Sequence, residues 1–89
     1  MRRNAILLAA FLAVSPVAEA ANLQCTTADK SKWLPAAAIK KMLQDHGFLN
    51  IGAIRSNDGN CYVVQAIDQT GAKKTLYLDP TDGALMGME

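Results

Sequence analysis

The chain carries a single histidine in 89 residues, so an imidazole base paired with a nucleophile has only one ring to draw on. It lacks any apolar run of the roughly 20 residues that a membrane-spanning helix needs. The stretch from Ala5 to Val14 is too short and is followed closely by Pro16. It lacks a surplus of charge as well: nine Lys and Arg stand against eight Asp and Glu. The basic pairs Lys40-Lys41 and Lys73-Lys74 have no aromatic residues interleaved with them, which excludes the stacking groove of a nucleic-acid binder. There is no internal repeat and no low-complexity tract, and Cys25 and Cys61 are the only cysteines.

What is present begins with an address. Arg2 and Arg3 precede the apolar run, and Ser15 to Ala20 end in Ala18-Glu19-Ala20, the small residues of a secretory cleavage site. Residues 1–20 therefore read as a signal peptide cut before Ala21, by general secretion, since nothing after the two arginines continues a twin-arginine motif. Gln24 stands before Cys25 where lipidation requires a small residue, so no lipid anchor is expected. Residues 21–89 then form one small domain with no net charge. A core of that size supplies only about 3–5 kcal/mol. In the oxidising compartment implied by export, Cys25 and Cys61 are expected to join as a disulfide that braces it.

Residues 21–32 are polar and aperiodic and read as an extended arm. Pro35 suits the first turn of a helix. Ile39, Met42, Leu43 and His46 follow at helical spacing and form one inward stripe, with Lys40, Lys41, Gln44 and Asp45 facing away. Gly47 and Phe48 carry the signature of a Schellman stop. Beyond them the period becomes two. Leu49 to Ser56 reads as a strand bulged at Gly52, because Ile51 and Ile54 cannot otherwise share a face. Asn57-Asp58-Gly59-Asn60 reads as a turn in which Asp-Gly provides positive φ. Cys61 to Asp68 is a strand with Tyr62, Val64 and Ala66 on one face and Cys61, Val63, Gln65 and Ile67 on the other. Lys73 to Leu78 is a third strand, and Ala84 to Met88 a short fourth after the turn at Asp79 to Gly83. The expected fold is α+β: one amphipathic helix on a three- to four-stranded antiparallel meander.

In their order and spacing, Cys25, Trp33, Gly47-Phe48, Gly59-Asn60-Cys61-Tyr62, Asp68, Gly71 and Tyr77-Leu78-Asp79-Pro80-Thr81-Asp82-Gly83 resemble the PepSY domain, in particular its small secreted members. The resemblance runs from residue 25 to about 86, with residues 33–89 as the domain proper. It departs at Lys74, where members carry an apolar residue, and at Val63 and Thr75, where they carry acidic ones; Lys74 is accordingly placed at the sheet margin. The resemblance implies a helix on an antiparallel sheet and a role in binding or restraining peptidases or other envelope proteins, and it brings no catalytic apparatus.

The chemistry-bearing side chains have plainer duties. His46 belongs to the helix end, Asp79 and Asp82 to a proline turn, and pairing removes both thiols as nucleophiles. No enzyme, cofactor or nucleic-acid partner is expected. The sheet face away from the helix holds Val63, Ile67 and Tyr77, more apolar surface than a small domain leaves open without reason. These three are the candidate contacts for a protein or peptide partner, against the alternative that the arm covers them. The reading is a periplasmic or secreted, non-catalytic module that binds protein or peptide and restrains or inhibits an envelope peptidase. The competing class is a copper carrier using Met86 and Met88 with His46 and Met42 as soft ligands.

Overall fold

The computed structural model describes residues 22–89; the expected signal peptide at 1–20 lies outside the described residues. One helix, α1 (Ala36–Asp45), packs on a four-stranded antiparallel sheet whose strands β1 (Arg55–Ser56), β2 (Tyr62–Ile67), β3 (Lys73–Leu78) and β4 (Leu85–Met88) lie side by side in chain order. The arm ends in a single 3₁₀ turn at Lys30–Lys32. Among the described residues no helix is long and apolar enough to cross a membrane.

Pro35 sits one residue ahead of the helix, as its N-cap, with φ of −66°. The helix start is held from both sides: the Leu34 N–H donates to the Pro80 carbonyl at 2.7 Å, and the Tyr62 hydroxyl donates to the Leu34 carbonyl at 2.7 Å. The other end is a Schellman motif. Gly47 has φ of +93°, its N–H donates to the Gln44 carbonyl, and the Phe48 N–H donates to the Leu43 carbonyl, both at 3.0 Å. The helix thus stops where the glycine allows the chain to reverse.

Ile39 and Leu43 are buried against Val64 and Ala66 of β2 and Leu76 and Leu78 of β3. Removing such a side chain from water contributes about 1.5–3 kcal/mol, so these six residues hold the two layers together. Met42, Phe48, Ile51, Ile54 and Tyr62 pack around them. His46 departs from the expected inward stripe: it is exposed, at the C-cap where the helix has ended.

The first strand is shorter than expected. Leu49 makes an isolated bridge to Ile67, and ladder pairing resumes only at Arg55, opposite Val63. The chain spends two more residues than β2 between those points, around Gly52, whose N–H donates to the Gln65 carbonyl at 2.8 Å. This irregular stretch lets both Ile51 and Ile54 reach the core. β2 and β3 pair from Tyr62 opposite Leu78 to Ile67 opposite Lys73, so Lys74 lies near the end of the ladder. The β3–β4 ladder slips by one residue at Tyr77 and Leu78, leaving Met86 as the extra residue.

Candidate functional site

The arm decides what remains open on the sheet face away from the helix. Cys25 and Cys61 are joined, with Cα atoms 5.0 Å apart. The Cys25 N–H donates to the Gly59 carbonyl at 2.9 Å. Asn57 Nδ2 donates to the Leu23 carbonyl at 3.2 Å, and Asn60 Nδ2 to the Thr26 carbonyl at 3.3 Å. The turn is built by Asn57, whose Oδ1 accepts the N–H groups of Gly59 and Cys61. Positive φ is carried by Asn60, at +61°, and not by Gly59 as the Asp-Gly pair suggested. Farther along the arm, Trp33 donates from Nε1 to the Ala28 carbonyl and meets the Tyr62 ring edge to face at 5.4 Å.

Leu23 reaches across to β4, its Cδ2 3.2 Å from where a Cβ on Gly87 would stand; Gly87 is the residue paired with Tyr77. Tyr77 is accordingly only 7% exposed, and its hydroxyl donates to Glu89 Oε2 at 3.1 Å. Burial, then the Glu89 carboxylate, raises the phenol above its usual pKa. Of the three residues expected on an open face, Tyr77 therefore belongs to a second small core under the arm. Val63 and Ile67 stay half-buried, with Val63 at the border of a shallow hollow beside Gly52 and Arg55.

The opposite situation holds along β4, on the helix side. α1 covers β2 and β3, and among the described residues nothing covers the strand beyond them: Leu85 is 50%, Met86 44% and Met88 48% exposed. Leu85 and Met88 pair with the core residues Leu78 and Leu76 and so share the helix-facing side. Between α1 and the β4 segment runs a cleft of about 540 Å³, its walls apolar from Met42, Leu43, Phe48, Leu78 and Leu85, with Asp82 at its border. Met42 closes against the 79–84 turn, since a Cβ on Gly83 would collide with its thioether.

β4 is also an open edge. Thr75 and Glu89 exchange both backbone hydrogen bonds, at 2.8 and 3.0 Å, and antiparallel alternation then turns the N–H and C=O of Met88 away from β3. Leu-Met-Gly-Met carries neither lysine nor proline nor an inward charge; of the devices that protect edge strands it has only its shortness and the slip at Met86. The edge at β1 is two residues long, bears Arg55 and follows the irregular stretch, so the two edges are unlike. Sequence reasoning did not single out this site: Ala84 to Met88 reads only as a short fourth strand, with Met86 and Met88 weighed as copper ligands, and the offset of the helix that leaves Leu85, Met86 and Met88 exposed has no local signal.

The remaining side chains keep to local structure. Asp79 Oδ1 accepts from the Thr81 N–H and hydroxyl, and Asp82 Oδ1 from the Ala84 N–H. Asp68 does the same for Thr70 and Ala72, and its carboxyl is lowered from its usual pKa chiefly by the Thr70 hydroxyl. Of the soft ligands considered for copper, Met42 and His46 line the cleft, whereas Met86 and Met88 do not join them there. Among the described residues no three His, Cys, Asp or Glu side chains gather as a metal site.

The family model described as "Peptidase propeptide and YPEB domain" matches residues 4–89. No curated protein and no solved structure gave a significant match.

Proposed function

Because the chain belongs to the PepSY family of peptidase propeptide and YPEB domains, we propose that it is an exported module, without chemistry of its own, that holds an extended segment of another protein and thereby restrains a peptidase of the cell envelope. Domains of this family are propeptide-like or inhibitory modules, typically extracellular or periplasmic. The observation that carries the reading is the uncharged β4 edge beside an apolar cleft. A peptide laid along such an edge gains backbone hydrogen bonds, and its alternate side chains find the cleft. The arm-side face of Val63, Ile67 and Tyr77 is the weaker candidate, since Tyr77 is already covered.

The test titrates the purified exported protein into purified periplasmic and extracellular peptidases and follows residual cleavage and the mass of the module. Saturable inhibition with the module intact supports the reading. Peptidases that cut the module as an ordinary substrate, with no loss of activity, overturn the restraining role. Intact mass also checks export: a chain beginning at Ala21 is expected, and a retained segment 1–20 contradicts it.

A further inference from the structure

The β4 edge is bracketed by charge of one sign. Asp82 stands in the turn before the strand, at the border of the cleft, and Glu89 follows the strand directly; both are exposed. Between them the four residues Leu85–Met88 carry no charge. Of the basic side chains on neighbouring elements, Lys41 pairs with Asp45 at 3.7 Å on α1, and Lys73 and Lys74 on β3 precede Thr75, the residue that exchanges hydrogen bonds with Glu89. The edge therefore presents an apolar centre with an acidic group at each end.

Resting on the reading of β4 as a docking edge, we infer that its occupant is an extended peptide segment with apolar residues at alternate positions and a basic residue at each end. The apolar residues on the helix side of such a strand fall beside Leu85 into the cleft and, farther along, beside Met88 outside it, and the basic ends meet Asp82 and the exposed Glu89, whose carboxylate also accepts from the Tyr77 hydroxyl. The same charges select against a second copy of this chain. Antiparallel pairing of two β4 strands brings Glu89 of each toward Asp82 of the other, and like charges at both ends oppose that pairing.

The experiment uses the exported protein and two fluorescein-labelled peptides with the same centre, leucine alternating with threonine, one with lysine and one with glutamate at both ends, read by fluorescence anisotropy. The lysine-ended peptide is expected to bind about tenfold more tightly, as several exposed charge contacts allow. The difference should shrink in 0.5 M salt. Asp82→Asn and Glu89→Gln together keep the oxygen atoms that accept from Ala84 and Tyr77 and should make the two peptides equal without abolishing binding. Equal binding to the unaltered protein overturns the charge inference and leaves the edge reading standing. Binding of neither peptide overturns both. A dimer in sedimentation that Met88→Lys dissociates makes the occupant a second copy and overturns the inference.

Discussion

The carbonyl of Leu23 rests on the α-carbon of Gly59, so closely that a Cβ at Gly59 has no room. Gly59 does not have positive φ; it is glycine because the arm passes over it. Gly59→Ala is expected to cost about 1–3 kcal/mol, as overpacking does, and to loosen the arm over Tyr77. Gly52→Ala is the control, because its Cβ would meet nothing nearer than the Gln65 carbonyl at 3.4 Å. Urea midpoints give the energies, and near-ultraviolet circular dichroism of Trp33 and Tyr77 reports the arm. Equal midpoints for the two variants would contradict the close approach.

The Cys25–Cys61 bond closes a loop with a sequence separation of 36, for which loss of chain entropy in the unfolded state amounts to about 4 kcal/mol. That rivals everything a core of this size supplies. The double variant Cys25→Ala, Cys61→Ala should therefore be largely unfolded at 37 °C or show a much lower urea midpoint. Denatured, unreduced exported protein should expose no free thiol to labelling. An unchanged midpoint would mean that the hydrogen bonds of Asn57 and Asn60 to the arm suffice without the bond.

Two groups are expected to contribute to stability at the pH extremes. Asp68 has a folded pKa below its usual 3.8, so the stability it adds is present above that value and is lost as pH falls through the lower, folded one. Tyr77 is raised from 10.0; its contribution is complete below that value and is lost as pH rises through the higher, folded one. Asp68→Asn should flatten the acid limb of the stability curve and Tyr77→Phe the alkaline limb. Thermal midpoints across pH measure both, and limbs that do not move would remove these groups as the cause.

Local chemistry made much of this fold legible. The Gly47-Phe48 stop, the limits of β2 and β3, the need for an irregularity at Gly52 and the pairing of two lone cysteines all follow from neighbouring residues or from compartment. What was hidden depends on distant parts of the chain. Tyr77 reads as outward from β3 alone and is buried because Leu23, far away in sequence, crosses its partner Gly87. His46 fits the helical stripe by spacing yet is exposed because the helix ends before the sheet can cover it. Leu85 and Met88 read only as part of a short fourth strand, and the position of α1 over β2 and β3 leaves them exposed. The candidate site was the least legible element, since it is a place where expected packing is missing.

The two surfaces that compete for a partner can be separated by charge. Met88→Lys puts a guard on the open edge without removing a backbone donor or a fully buried side chain, and it should weaken capture of an extended peptide or an inhibited peptidase by tenfold or more. Val63→Asp and Ile67→Asp alter the arm-side face, where both residues are half-buried. They should cost some stability and leave capture by the folded protein within about twofold, a margin under 0.5 kcal/mol. Far-ultraviolet circular dichroism is recorded with each binding curve, so that only folded variants are compared. If the charges at Val63 and Ile67 abolish capture while the fold holds, and Met88→Lys does not, contact is made on the arm side and the β4 edge is bystander surface. The opposite result places the partner beside β4, where the backbone N–H and C=O of Met88 supply the hydrogen bonds and the cleft between α1 and Leu85 supplies the apolar contact.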